Sequence, residues 1–172
     1  GARIVGVTSM SPTAGAAYEL LKELRPRAEC LVLGGPHVSA LGPGVFDDCP
    51  VEVDMAFAGE CERTFPEAVG HILSGGAESV AELPELPGLL QPGGGSLGDP
   101  PRISDLDGLG FPDRSATPAT KYRHPLMPGG PVTSAITSRG CPYRCVFCDK
   151  HVCGKTWRPR SAENVLAELE YI

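Results

Sequence analysis

The sequence has no apolar run near the roughly 20 residues that a membrane-spanning helix requires, and no basic segment followed by an apolar one opens it. These absences argue against a membrane span and against a secretory signal. Positive charge is also scarce, because 15 Lys and Arg stand against 21 Asp and Glu, a net charge of −6. Nucleic-acid-binding faces show clustered Lys and Arg instead. We therefore expect a cytoplasmic protein with no membrane span and no nucleic-acid partner.

The two ends also lack the usual marks of a complete domain. The chain begins without Met, inside the apolar run at residues 4–7, and it ends within the helical pattern of residues 161–172. We therefore predict that these 172 residues are a fragment of a longer protein. Gly and Pro concentrate between residues 84 and 131, which indicates a connector between two folded parts.

The first 75 residues alternate between apolar runs and helical patterns. The runs lie at 3–8, 30–33 and 54–58, and helical spacing covers about 14–25 and 63–73, with Ser11 and Pro12 as the expected N-cap and first helical residue. Strands this apolar, separated by helices, predict an α/β fold with a parallel sheet covered on both faces. We expect a Rossmann-like, doubly wound sheet that is truncated at its N-terminal side. Ligands would bind at the carboxyl ends of its strands.

The second half has weaker patterns. Residues 86–91 and 100–103 predict a small hairpin, 104–131 a linker, and 132–138 a strand that runs into a cysteine-rich loop. A final helix is expected from Ser161. Its expected apolar face consists of Val165, Leu166, Leu169 and Ile172.

Three of the seven cysteines lie close together, at the spacing C-x3-C-x2-C formed by Cys141, Cys145 and Cys148. Without export signals, such a cluster indicates metal or redox chemistry rather than disulfides. Three thiolates on one loop would supply three corners of an iron–sulfur cubane and leave the fourth iron open to a substrate. Structural zinc is the competing interpretation, with His151 or Cys153 as the fourth ligand. Zinc loops more often pair two C-x2-C knuckles, and this sequence has no second one.

Several other residues have a plain structural interpretation. We expect Cys30, Cys49 and Cys61 to be small buried hydrophobic residues. Glu60 and Thr64 fit the start of a helix, where acceptors stabilise free N–H groups. The basic residues that follow the cysteine loop have two interpretations, contact with substrate carboxylates or phosphates and a solvated face, of which we expect the solvated face: Lys155, Arg158 and Arg160.

Residues 136–148, Ile-Thr-Ser-Arg-Gly-Cys-Pro-Tyr-Arg-Cys-Val-Phe-Cys, resemble the signature of the radical S-adenosylmethionine superfamily in the form used by its cobalamin-binding branch. Residues 154–165 are similar to the segment that follows the cluster in that branch. Residues 32–40 and 58–65 resemble the second half of its cobalamin-binding Rossmann domain, and 105–112 resemble its interdomain linker. The resemblance covers nearly the whole chain.

The resemblance implies three parts. Residues 1–82 would be a partial cobalamin-binding Rossmann-like domain, and 83–131 a hairpin and linker. Residues 132–172 would be the first strand, loop and helix of a partial, TIM-like β/α radical S-adenosylmethionine barrel.

The resemblance also implies the cofactors: a 4Fe–4S cluster, S-adenosylmethionine and cobalamin. Cys141, Cys145 and Cys148 would ligate three irons, and S-adenosylmethionine would chelate the fourth through its amino and carboxylate groups. One electron would then cleave it to methionine and a 5′-deoxyadenosyl radical. Phe147 would bind S-adenosylmethionine near the adenine. Arg139 and Gly140 would shape the approach to the loop.

Three loops would face cobalamin. Hydroxyls of the first can donate to the nucleotide tail or the corrin amides, and a Gly-Gly turn in the second permits close backbone approach. The expected contacts are Thr8, Ser9, Ser11, Thr13, Gly34, Gly35, Pro36, His37, Gly59, Glu60 and Glu62. The alternative is that these loops are only turns in another α/β domain. No D-x-H-x-x-G cobalt-ligand motif occurs, and His37 is expected to form a hydrogen bond rather than to ligate cobalt.

The function implied by the resemblance is methyl transfer to an unactivated centre. Radical cyclisation or rearrangement is the alternative within the family, and a zinc-stabilised binding module without catalysis is the alternative outside it. We expect a small-molecule or peptide substrate and an electron donor such as flavodoxin or ferredoxin. The 172-residue piece alone is expected to be inactive.

Overall fold

The computed structural model describes residues 2–75, 80–94, 101–115, 119–126 and 129–172. The strands are β1 Ile4–Thr8, β2 Cys30–Gly34, β3 Met55–Phe57, β4 Leu89–Leu90, β5 Ser138–Arg139 and β6 Arg158–Pro159. The helices are α1 Ala14–Leu24, α2 Pro36–Leu41, α3 Val45–Asp48, α4 Thr64–Gly75 and α5 Ala162–Tyr171. Short 3₁₀ turns occupy Ser11–Thr13, Arg25–Arg27, Gly42–Gly44 and Ala119–Lys121. Within these ranges, no helix has both the length and the apolarity to cross a membrane.

Four strands form one sheet in the order β1-β2-β3-β4. β1 and β2 are parallel, with Ile4 opposite Cys30, and β2 and β3 are parallel, with Val32 opposite Met55. β4 runs antiparallel along the free side of β3. The structure thus confirms a mixed α/β fold with a parallel sheet, which is compatible with a Rossmann-like domain.

Helices cover both faces of this sheet. On one face, α1, α2 and α3 contribute to a core that includes Leu21, Leu31, Leu33, Val38 and Val45. On the other face, α4 packs over a core that includes Cys30, Val32, Met55, Phe57 and Ile72. Burying each large apolar side chain stabilises the fold by about 1.5–3 kcal/mol. The near-continuous apolar character of β2 and β3 follows from burial on both faces.

The predicted helix at 14–25 corresponds to α1, whose buried residues Ala14, Ala17, Tyr18 and Leu21 recur at helical spacing. The predicted cap was wrong, because the segment from Ser11 begins a 3₁₀ turn and the residue before α1 is Thr13. α2 and α3 were not predicted. They have six and four residues, too few to show an amphipathic period.

The predicted hairpin between 86–91 and 100–103 is corrected, because Leu89–Leu90 pairs with β3 and not with the later segment. Residue 100 lies outside the described residues. Gly88 permits this pairing. It has φ +83°, and its carbonyl oxygen accepts a 2.9 Å bond from Ala58 N. The apolar Leu89–Leu90 thereby covers one side of β3, where open backbone groups would otherwise face solvent.

The chain forms two compact units. The first contains the four-stranded sheet and comprises the residues up to Ile103 together with Tyr143–Gly154; the second comprises Ser104–Pro142 and Lys155–Ile172. The three-part division at residues 82 and 131 stays a prediction.

In the second unit, the predicted strand at 132–138 is corrected to the two-residue β5, which pairs antiparallel with β6. Among the described residues, 132–137 have no partner strand, and β-branched composition alone does not supply one. The final helix is confirmed as α5. Its N-cap is Ser161, whose Oγ accepts a 3.1 Å bond from Asn164 N.

The apolar residues predicted along one face of α5 are largely exposed in this structure. Leu166 and Leu169 are 57% and 56% exposed, and Ile172 is 48% exposed. Glu168 is the buried residue of the helix instead, at 1% exposure. The reason is a pair of arginines that compensate its carboxylate.

Candidate functional site

The loops after β1 and β2 are joined at the carboxyl edge of the sheet. Ser9 N donates to Gly34 O at 2.9 Å, and His37 N donates to Ser9 O at 3.1 Å. Gly35, between them, has φ +99°, and a Cβ there would lie 2.6 Å from Ser9 O and from Thr8 Oγ1. The close backbone approach predicted for the Gly-Gly turn therefore exists at Gly35. It is made to the neighbouring loop of the same chain.

His37 is the centre of a buried polar network at this edge and is 8% exposed. Its Nδ1 lies 3.1 Å from Ser11 Oγ, and its Nε2 lies 2.8 Å from the Tyr18 hydroxyl and 3.2 Å from Asp48 Oδ2. Tyr18 in turn donates to Asp48 at 2.6 Å. The structure therefore fills both ring nitrogens with protein partners.

Two members of this network, Tyr18 and Asp48, were not singled out in the sequence. Burial, followed by the hydrogen bond to Asp48, raises the pKa of Tyr18. The hydrogen bond from Tyr18, followed by that from His37, lowers the pKa of Asp48. Tyr18 fitted the helical spacing as an ordinary core residue, and nothing local marked Asp48. Their pairing depends on the packing of α1 against α3.

A second missed residue, Ser39, links the loops after β2 and β3. Its hydroxyl donates to Gly35 O at 3.3 Å and accepts a 2.9 Å bond from Gly59 N. Gly59 has φ +78°, a conformation that glycine adopts without steric penalty. The three loops predicted to face one ligand thus lie together and are cross-linked by hydrogen bonds.

The acidic loop after β3 has one inward and one outward carboxylate. Glu60 is 5% exposed, and its Oε2 accepts a 2.7 Å bond from Ile103 N, while its own N donates to Pro101 O at 3.1 Å. Glu60 therefore holds residues 101–103 against this edge. Glu62 is exposed. Thr64 Oγ1, at the start of α4, is buried without a hydrogen-bond partner.

The remaining predicted contacts fall into two groups. The Thr13 hydroxyl forms hydrogen bonds within its own turn, because it donates to Met10 O at 3.1 Å and accepts from Met10 N at 3.3 Å. The exposed predicted contacts at this edge are Thr8, Ser11, Pro36 and Glu62. These exposed side chains form the surface that a ligand at the sheet edge would meet, and the buried ones hold that surface in place.

The cysteine loop begins after Gly140, which has φ +78°. Cys141 is half-buried, and Cys145 and Cys148 are exposed and joined by a turn in which Cys148 N donates to Cys145 O at 3.1 Å. Cys141, Cys145 and Cys148 are free thiols. Phe147 is 89% exposed. Within the ranges that the structure describes, no group of three or more His, Cys, Asp or Glu side chains is already arranged around a metal position.

The segment after these cysteines turns tightly. Gly154 is buried with φ +73°, its N donates to Lys150 O at 2.9 Å, and a Cβ on it would collide with the Arg102 side chain. His151 is exposed, and its Nδ1 pairs with Asp149. The backbone hydrogen bond from His151 is the main cause that lowers the pKa of Asp149. His151 is therefore engaged with a carboxylate.

One prediction for the basic residues is wrong. Lys155 is exposed as expected, but the Arg160 side chain is only 10% exposed and pairs with Glu168. Arg114, on the predicted linker, pairs with the same carboxylate at 2.7 Å. A cavity of about 670 Å³ lies in the second unit. Its lining includes Arg114, Arg160, Glu168, Phe111 and Arg139.

Comparison with known proteins finds methyltransferases and cyclases that are similar to nearly the whole chain. No protein-family model matches the chain, and no solved structure matches it significantly. An uncharacterized methyltransferase of Pyrococcus horikoshii is 35% identical over 98% of this chain and 36% of its own length. The cytidylyl-2-hydroxyethylphosphonate methyltransferase of Streptomyces wedmorensis is 29% identical over 98% of this chain and 37% of its own. The anaerobic magnesium-protoporphyrin IX monomethyl ester cyclase of Rubrivivax gelatinosus is 28% identical over 98% of this chain and 31% of its own length.

These alignments run through both the sheet and the cysteine run. The similarity to these methyltransferases and cyclases is consistent with a fragment of the cobalamin-binding branch of the radical S-adenosylmethionine family. The chain spans about a third of the length of the curated relatives that it matches. The three thiols of Cys141, Cys145 and Cys148 fit an iron–sulfur cluster in their donor chemistry, because such clusters are held by thiolates.

Proposed function

We propose that this chain carries the cobalamin-facing loops and the cluster-binding loop of an enzyme that transfers a methyl group to an unactivated centre. The observation that carries the proposal is the conjunction of three free thiols at C-x3-C-x2-C spacing with relatives that are named methyltransferases. A cytoplasmic location and an electron donor such as flavodoxin or ferredoxin belong to the same proposal. The substrate would be a small molecule or a peptide.

In this proposal, the thiolates of Cys141, Cys145 and Cys148 would hold the 4Fe–4S cluster, to which S-adenosylmethionine would bind. The cluster, when bound, supplies the single electron that splits S-adenosylmethionine into methionine and a 5′-deoxyadenosyl radical. Phe147 provides an apolar surface beside the adenine, for which its exposed ring is available. Arg139 and Gly140 shape the entry of the chain into the loop.

Two sets of residues have different roles in the proposed cobalamin site: one set is exposed to the ligand, and the other is buried and holds the loops. Thr8 and Ser11 present hydroxyls at the carboxyl edge of the sheet, where ligands of open α/β sheets bind. Ser9, His37 and Glu60 are buried and keep the loops in place through the hydrogen bonds given above. Since protein partners fill both nitrogens of His37, we assign it a positioning role and not cobalt ligation.

Radical cyclisation is the second candidate, favoured by one observation. Two relatives, from Rubrivivax gelatinosus and Cereibacter sphaeroides, are named anaerobic magnesium-protoporphyrin IX monomethyl ester cyclases, at 28% and 29% identity. Both candidates need the same cysteine loop. They differ in whether the substrate gains a methyl group, so mass spectrometry of the product distinguishes them.

Anaerobic reconstitution with iron and sulfide tests the proposal. We expect a brown protein whose visible absorbance is bleached by dithionite and is lost in Cys145→Ala. The matched controls are Cys153→Ala and His151→Ala, which remove the candidate fourth ligands of a zinc site. Iron content unchanged in both controls supports a three-cysteine cluster. A colourless protein that binds one tight zinc, lost in either control, would overturn the proposal.

A further inference from the structure

The carboxylate of Glu168 is the most deeply buried charge described in the second unit. Glu168 is 1% exposed, although it lies on α5 between exposed leucines. Its Oε1 accepts a 2.7 Å bond from Arg114 Nη2, and its Oε2 pairs with Arg160 Nη1. An isolated carboxylate is costly to bury, so the site depends on both guanidinium groups.

Both arginines also bind the backbone that leads to the cysteine loop. Arg114 Nη2 donates to Ser134 O at 2.8 Å, and Arg160 Nη1 donates to Ile136 O at 2.9 Å. The main-chain N of Arg160 donates to Thr137 O at 2.9 Å. Four residues after Thr137, the chain reaches Cys141. The two guanidinium groups therefore hold alternate carbonyls of one extended segment.

The segment has few other restraints. Residues 133–137 are exposed, and strand pairing in this region starts only at Ser138. The Arg160 guanidinium is further fixed by Asn164, through Nε to Oδ1 at 2.6 Å and Nη2 to the carbonyl at 3.1 Å, and it lies 5.6 Å from the Phe111 ring centroid. A guanidinium group that is hydrogen-bonded on several sides is held in one orientation. Its position is set by Glu168.

We propose that Glu168 is a positioning residue that fixes residues 134–137 through Arg114 and Arg160, and so determines how the first cluster ligand, Cys141, is presented. This inference rests on the proposed function, since it assumes that Cys141 ligates the cluster. Glu168 touches no cofactor in this scheme. It acts by holding two guanidinium groups, which hold the strand.

The test uses the full-length protein with Glu168→Gln, which keeps the size of the side chain and removes the charge. Glu170→Gln, on the exposed side of the same helix, is the matched control. Iron per chain, the affinity for S-adenosylmethionine, and the change that it causes in the paramagnetic resonance spectrum of the reduced cluster are measured on the folded fraction. We expect Glu168→Gln to retain iron but to bind S-adenosylmethionine about tenfold or more weakly, with the spectral change lost.

The outcomes separate the two proposals. A wild-type protein without a cluster overturns the proposed function itself. The positioning role is overturned if the wild type holds a cluster and Glu168→Gln shows the same affinity for S-adenosylmethionine and the same spectral change per cluster. A residue with only a structural role would lower the yield of folded protein and leave both of these quantities unchanged. If Glu168→Gln does not fold, Arg114→Lys decides: it keeps the charge, but its ammonium group ends one bond short of Arg114 Nη2, the nitrogen that donates to both Glu168 and Ser134. Unchanged affinity in Arg114→Lys overturns the inference, and weakened affinity supports it.

Discussion

The Tyr18 hydroxyl lies 2.8 Å from Nε2 of His37 and donates to Asp48 at 2.6 Å, so one buried group joins α1, α2 and α3. This network sits directly behind the loops at the carboxyl edge of the sheet. Its loss would loosen the surface proposed to meet cobalamin, even though Tyr18 itself is only 8% exposed.

Replacing Tyr18 with Phe removes this hydroxyl and leaves the ring in place. We expect the free energy of unfolding to fall by about 1 kcal/mol, because the buried His37 ring loses a hydrogen-bond partner, whereas the half-exposed Asp48 can bond to water instead. Urea denaturation measures the change. Tyr122→Phe is the control, since Tyr122 is 53% exposed, and it should change stability by less than about 0.5 kcal/mol. Equal effects of the two substitutions would contradict this account of the network.

Gly35 should not tolerate a side chain. Gly35→Ala places a Cβ 2.6 Å from Ser9 O at a φ of +99°, so we expect a destabilisation above about 1 kcal/mol. Gly15→Ala is the matched control, because a Cβ there meets nothing within 4 Å on α1, and it should stabilise the protein by up to about 1 kcal/mol. Thermal denaturation of the two variants gives the comparison. A neutral Gly35→Ala would show that the β1 and β2 loops move apart easily.

The ion pairs of Glu168 should make the free energy of unfolding depend on pH in the acid range. The hydrogen bond from Arg160, followed by that from Arg114, lowers its pKa from the ordinary 4.5, against the opposing effect of burial. A carboxyl with a lowered folded-state pKa contributes stability that is present above 4.5 and is lost as pH falls through the folded value. Denaturation midpoints of the wild type should therefore converge with those of Glu168→Gln as the pH falls below 4.5 and through the lowered folded-state pKa. A gap that stays constant with pH would contradict the ion-pair assignment.

This 172-residue chain alone should not produce 5′-deoxyadenosine from S-adenosylmethionine. It spans about a third of its relatives, and the proposed barrel would need several further strand–helix units, by analogy with other β/α barrels. Chromatography of reduced reactions measures the product, with a full-length relative as the positive control. Turnover by the 172 residues at the rate of that relative would show that the further units are dispensable.

The elements that the sequence predicted well are those with a local physical signature. β1, β2, β3, α1 and α4 each show their period within one stretch of chain, and burial on both faces makes the strands apolar throughout. The strand at 132–138 failed because pairing needs a partner that β-branched composition does not provide. The short α2 and α3 had no period to detect.

By itself, the sequence predicted the mixed α/β class of fold and placed Cys141, Cys145 and Cys148 at C-x3-C-x2-C spacing, because spacing and apolar period are properties of neighbouring residues. Only the tertiary structure decided that His37 meets Tyr18 and Asp48, and that Arg160 is buried against Glu168. A solvent-facing arginine and an ion-paired one have the same local sequence. What separates them is which distant carboxylate the packing brings within reach.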